Sequence, residues 1–252
     1  MAPSYKAKLD RADEHLSAIQ DAVKGWSEGD PCELFLDCDV KTREERFRLR
    51  VFDPPPADRL DIPISECVHN LRTALDHIGY RLAIYIGGDP PPNADGTGFP
   101  ICRDPKHFTA SLPNRIDKLK RIPPALRTAL EDAQPYAGGH GADFPTLTNL
   151  NDCDKHRFAP LLAAVAEVRS LNIGTFHGSS FVGPLLGGHE DGAVIVKFIP
   201  APNTEVDMEL RVGYDVAFGP GYPGNGAYVV SYLRGTLDYI RDTLVPSLAA
   251  FL

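Results

Sequence analysis

Ser65-Glu66-Cys67-Val68-His69-Asn70-Leu71-Arg72-Thr73-Ala74-Leu75-Asp76-His77 sorts its residues cleanly by polarity when wound into a helix. At about 100° per residue, Cys67, Val68, Leu71, Ala74, Leu75, Ile78 and Leu82 fall between about 80° and 200° from Glu66. Glu66, His69, Asn70, Arg72, Thr73, Asp76, His77 and Tyr80 fill the complementary arc. One stripe to bury and one polar face define an amphipathic helix. Its expected span is 61–86, with Pro63 in a first turn where a missing N–H costs nothing and Gly87-Gly88 as the stop.

Outward from this helix the period changes. Toward the N-terminus, Leu9, Ala12, Leu16, Ile19 and Val23 predict a helix over 4–27. Residues 32–40 and 45–52 then alternate with a period of two. Phe47, Leu49 and Val51 interleave with Arg46, Arg48 and Arg50, and the pair reads as a β-hairpin. Toward the C-terminus, 89–98 reads as an exposed Pro/Gly/Asn loop, followed by short helices near 105–120 and 123–133. A loop at 137–143 leads to a helix over 149–168 that Pro160 must kink or divide. Strands are expected at 173–182, 192–199 and 205–218, with turns at Gly187-Gly188 and Pro202-Asn203. A last helix is expected over 226–245. The predicted class is α+β: a helical bundle segregated onto an antiparallel sheet formed by the N-terminal hairpin and a C-terminal meander. The expectation is one domain over 1–252, helical at about 60–168 and β-rich at about 30–53 and 171–218.

Of the 252 residues 43% are hydrophobic and 24% charged, the balance of a protein with an ample core. A net charge of -8 argues against broad binding to a nucleic-acid backbone, though not against a local basic groove. No apolar run approaches the ~20 residues of a membrane span, so no membrane partner is expected. The N-terminus carries no signal-peptide pattern. The five cysteines (Cys32, Cys38, Cys67, Cys102, Cys153) form no CxxC pair and read as reduced thiols, which suggests a cytoplasmic location.

Two polar clusters carry what chemistry there is. The polar arc of the 61–86 helix has no Lys and is rich in His, Asn, Asp and Arg, unlike an ordinary solvated face. A solvated arc nevertheless remains an alternative. The second cluster is Asn149-Leu150-Asn151-Asp152-Cys153-Asp154-Lys155-His156-Arg157. There Asn149 or Asn151 caps a helix, and Asp152, Lys155 and His156 share a face. Glu66-x-x-His69 has the i, i+3 spacing of a metal-ligand pair, and Glu66, His69, Asp76 and His156 would hold a divalent ion between two helices. Arg72 with Asp76 at i+4 also suits a purely structural network in a non-enzymatic binding module. No nucleotide-binding or hydrolase signature is present.

His69-Asn70-Leu71-Arg72-x-Ala74-Leu75-Asp76-His77, Phe99-Pro100-Ile101, Gln134-Pro135-Tyr136 and Leu150-Asn151-x-x-Asp154-Lys155-His156-Arg157 resemble blocks that recur in this order in a widespread bacterial family of uncharacterised proteins. That resemblance implies that the two polar clusters serve one site. Arg72-x4-His77 also resembles the R-x(4–6)-H pattern of HEPN-type ribonucleases. It implies a metal-independent hydrolase, a nuclease of the defence or toxin type, acting on RNA without a cofactor. Arg72 and His77 would be catalytic, supported by Asn70 and Asp76. The implied chemistry is acid/base work at the RNA 2′-OH beside a fixed cation. His69, Asn151, Asp152, Asp154, Lys155 and His156 would bind or position substrate. HEPN-type sites are usually composite, which implies a homodimer.

Overall fold

A computed structural model describes residues 4–118, 120–156, 162–175, 180–181, 191–201 and 207–252; at 154–156, 162–175, 180–181 and 207–212 the description is of the backbone. The elements in chain order are α1 (Ser4–Ser27), β1 (Cys32–Asp39), β2 (Glu44–Val51), α2 (Ala57–Gly87), α3 (Pro105–Arg115), α4 (Pro124–Asp132), α5 (Phe144–His156), β3 (Leu162–Thr175), β4 (Ser180–Phe181), β5 (Val194–Ile199), β6 (Asp207–Phe218) and α6 (Val229–Asp238). A π-helical turn, Tyr239–Leu244, and a last turn α7 (Val245–Ser247) follow. The class is α+β, and no described helix is long and apolar enough to cross a membrane. The chain forms two compact units, one of 1–19, 61–160 and 230–252 and one of 20–60 and 161–229.

The first unit is helical, and α2 is its spine. All seven residues of the predicted apolar arc, Cys67 to Leu82, are at most 2% exposed. Each such side chain contributes about 1–3 kcal/mol on leaving water. α1 lies against this spine: the Cys67 thiol donates to the Ala12 carbonyl at 3.4 Å, and Lys8 donates to Asn70 at 3.1 Å. Leu233, Leu237, Ile240 and Leu244 bury one face of the C-terminal helical segment. Arg234 and Arg241 on that segment both clamp Asp13 of α1, at 2.8 and 2.9 Å.

α2 starts at Ala57, four residues before the expected 61, so Pro63 stands inside the helix and not in its first turn. The fully buried Leu60 and Asp58 in the first turn account for the extension, one by apolar burial and the other by complementing the helix dipole. The loop expected at 89–98 leaves the surface at its end, because Gly98, Phe99 and Pro100 are buried. Residues 135–143 are ordered into two 3-10 turns, Pro135–Ala137 and Gly139–Asp143. The C-terminal helix is α only to Asp238, with Pro246 unable to donate to the preceding turn just beyond the π segment.

The second unit holds the strands. β1, β2, β5 and β4 form one antiparallel sheet in that order, and β3 pairs with β6 in a separate two-stranded sheet. The hairpin turn is built by Asp39, whose carboxylate accepts from the Lys41 and Thr42 amides, and by Arg43 at a φ of 59°. Leu49 is fully buried, as its alternation predicted. The arginines of β2 are paired off: Arg46 with Glu44, Arg48 with Asp37 and Arg50 with Glu33. The expected helix over 149–168 is a correction. α5 ends at His156, and Leu162-Ala163-Ala164-Val165-Ala166 runs as strand, in register from Leu162↔Phe218 to Thr175↔Asp207. A long partner strand overrides the helical propensity of alanine. The β-rich segment therefore begins at 162 and not at 171. The turns expected at Gly187-Gly188 and Pro202-Asn203 lie outside the described residues.

Candidate functional site

The polar arc of α2 points to several places rather than one. His69 and Asn151 meet across α2 and α5, Nδ1 to Oδ1 at 3.2 Å, while the Thr73 hydroxyl stands 3.4 Å from His69 Nε2. Both ring nitrogens of His69 thus have a polar neighbour, one on α5 and one on α2. Asn70 is buried toward α1, where it donates to the Glu66 carbonyl and accepts from Lys8. Arg72 and Asp76 pair at i, i+4, Nη1 to Oδ1 2.8 Å. That Nη1 is buried and lies against the Asp76 carboxylate as an ion pair outside hydrogen-bond alignment.

Arg72 lines a cavity of about 320 Å³. Its side chain is 15% exposed. One wall is α3, whose His107, Ser111 and Arg115 recur at i, i+4 and i+8 and so share a face. A second wall is α5, through Pro145, Thr148 and Asn149. The third is the segment from Phe99 to Arg103. Three glycine and glutamine contacts fix that segment. A Cβ on Gly79 of α2 would lie 2.5 Å from the Gly98 and Phe99 backbone, so only glycine allows the segment to press so close. A Cβ on Gly98 would lie 2.8 Å from Asp76 Oδ1 and 3.7 Å from an Arg115 guanidinium nitrogen. Gln134, fully buried, accepts from the Cys102 amide at 2.9 Å and donates to the Pro100 and Leu130 carbonyls at 3.0 and 2.8 Å.

The cavity is cationic. Arg72, Arg103, Arg115 and His107 line it, and no carboxylate does. Asp76 offsets Arg72 from behind, and Asp104 offsets Arg103 at 3.2 Å on the exposed rim. Among the described residues Arg115 has no acidic partner within 4.0 Å. Asp104 also caps α3, accepting from the His107 amide at 2.7 Å, and this bond holds its carboxyl below the usual carboxylate range. Burial pushes the Cys102 thiol up despite Ser111 and Arg115 beside it, so this cysteine stays protonated and is a poor nucleophile at neutral pH.

His77 is not at this cavity. With Asp76, Tyr80, Arg81, Thr97 and Ser4 it lines a second one of about 380 Å³, where its Nδ1 is buried without a partner. Arg72 and His77, expected to act together, therefore open onto different spaces; Asp76 pairs with Arg72 and lines the cavity of His77. Glu66 is exposed; burial pushes the His15 imidazole of α1 down, and the Glu66 carboxylate acts against that shift. Among the described residues no group of three or more His, Cys, Asp or Glu side chains could hold a metal ion. Asp152 is exposed, and the side chains of Asp154, Lys155 and His156 lie outside the described residues.

Sequence reasoning singled out Arg72 and Asn149, and Gln134 as part of a quoted block, but missed Arg103, His107 and Arg115. The four-residue spacing of His107, Ser111 and Arg115 was the available signal. The quoted blocks do converge: Arg72 and Phe99-Pro100-Ile101 line the cavity, Gln134 holds its wall, and Asn151 bonds the helix that supplies Arg72. No family model, curated protein or solved structure matches this chain.

Proposed function

We propose that this protein binds a small anionic ligand, a phosphate-bearing one above all, in the cavity between α2, α3 and α5. The observation that carries this is the convergence of Arg72, Arg103, Arg115 and His107 on one space without a lining carboxylate, in a chain whose net charge is -8. Guanidinium groups match the oxygens of phosphate in geometry, and a charge-assisted hydrogen bond is worth about 1.5–3 kcal/mol. Arg72 is the most buried of these side chains, 15% exposed, where solvent screens a charge least. A volume of about 320 Å³ is at the small end of ligand pockets and admits roughly one nucleotide unit.

RNA enters this reading only through its phosphate. The ribonuclease expectation needs Arg72 and His77 at one scissile bond, and within one chain they line separate cavities. Titration of the full chain with inorganic phosphate by calorimetry, at low and high salt, tests the proposal. Binding should weaken with salt, since Arg103 and Arg115 are exposed, and should fall about tenfold or more in Arg72→Gln and in Arg115→Gln. Phosphate binding that ignores both substitutions would sink it.

A further inference from the structure

Resting on the anion-binding reading, we infer that the cavity takes the terminal phosphoryl group of a phosphate monoester, in preference to an interior phosphodiester or a carboxylate. The donors come from three directions: Arg72 from α2, Arg115 with Ser111 from α3, and Asn149 from α5. A carboxylate presents two oxygens in one plane, which a single guanidinium satisfies. A terminal phosphoryl group presents three oxygens at tetrahedral angles, so it meets guanidinium groups on two helices and an amide on a third at once.

Space points the same way. An interior diester sends a second ester arm away from the phosphorus, and that arm needs a second exit. Phe99 and Pro100 bound the cavity on one side, and their segment is pressed on Gly79 and clamped by Gln134. Phe99 is itself held edge-on by Phe144 at 5.9 Å, so the wall cannot widen by a rotamer change alone. The single ester arm leaves past Ile101 and Pro145, which are half-buried and give its carbon skeleton apolar surface. Charge adds to this, because a monoester dianion gains twice what a diester monoanion gains in the same field.

The experiment compares four probes on the full chain by calorimetry: adenosine 5′-monophosphate, its methyl ester, adenosine 5′-carboxylic acid and adenosine. The monophosphate should bind at least about tenfold more tightly than each of the others, and its advantage should vanish in Arg115→Gln. Equal binding of the monophosphate and its methyl ester overturns the monoester inference while leaving the anion reading intact. Equal binding of the carboxylic acid overturns it in the same way. Adenosine binding as tightly as the three anions overturns the anion reading itself. So does absence of binding by all four together with inorganic phosphate.

Discussion

Replacing Gln134 with methionine keeps the length and volume of the side chain and removes all of its hydrogen bonds. Gln134 is fully buried, and its amide serves the Cys102 N–H, the Pro100 carbonyl and the Leu130 carbonyl. Leu130 ends a helix and has other donors near, but Cys102 and Pro100 sit in an irregular segment with no ladder to fall back on. Two buried backbone groups are thus orphaned, at about 1–3 kcal/mol each. The apolar methionine returns part of this, so the net loss is about 3 kcal/mol, a large share of a total of about 5–15 kcal/mol. With a urea slope of about 2 kcal/mol per molar, the unfolding midpoint should fall by about 1.5 M. Hydrogen exchange at the Cys102 amide should accelerate in the same variant. Phosphate binding should weaken as well, since the clamped segment forms the wall opposite α3. A midpoint within about 0.2 M of wild type would show that Gln134 is not holding the segment.

Gly79→Ala should destabilise by about 1–3 kcal/mol, because its Cβ would meet immovable backbone at 2.5 Å, whereas Gly235→Ala in α6, with only the His140 ring at 3.9 Å, should stabilise by about 0.5–1 kcal/mol; thermal melts of the two variants should move in opposite directions. Arg241, first, and Arg234 hold the Asp13 carboxyl below the usual carboxylate range. Its stabilisation is therefore present above the usual carboxylate range and lost as pH falls through the lower folded value, so Asp13→Asn should be less stable than wild type at pH 7 and lose less on acidification. Cys67 is fully buried, with its thiol pushed up to about 12, while Cys38 is exposed; a maleimide should label Cys38 in the native protein and reach Cys67 only on unfolding, as mass spectrometry of the peptides would show.

What the sequence made legible follows from the range of the interactions involved. The buried face of α2 was read residue by residue because helical periodicity is a local signal, and the same holds for α1 and for Leu49 in the hairpin. The stretch after Pro160 was misread because its leucines and alanines suit a helix when alone. Only β6, some fifty residues on, makes it a strand. The site was half legible. Arg72 stood out as an arginine on an arc without lysine, but whether it joins His77 or His107 depends on where α3 packs, which no spacing within α2 encodes. Arg103 and Arg115 are exposed charges; what distinguishes them is the space they share. Gln134 stood out only as part of a quoted block, and its clamping role was not legible because Cys102 and Pro100 are 32 and 34 residues away.

The Asp13 clamp has a consequence for how the chain is made. Its partner Arg234 is 221 residues further along, and Arg241 is 228. At about 5–20 residues per second on a ribosome, α1 waits on the order of 10–45 s for the arginines that anchor it. During that interval its apolar face, Leu9 to Ile19, has α2 to cover it but lacks the C-terminal segment. Nascent chains arrested before residue 234 should therefore be captured by chaperones that recognise exposed leucine and isoleucine, and release should coincide with emergence of the last helix.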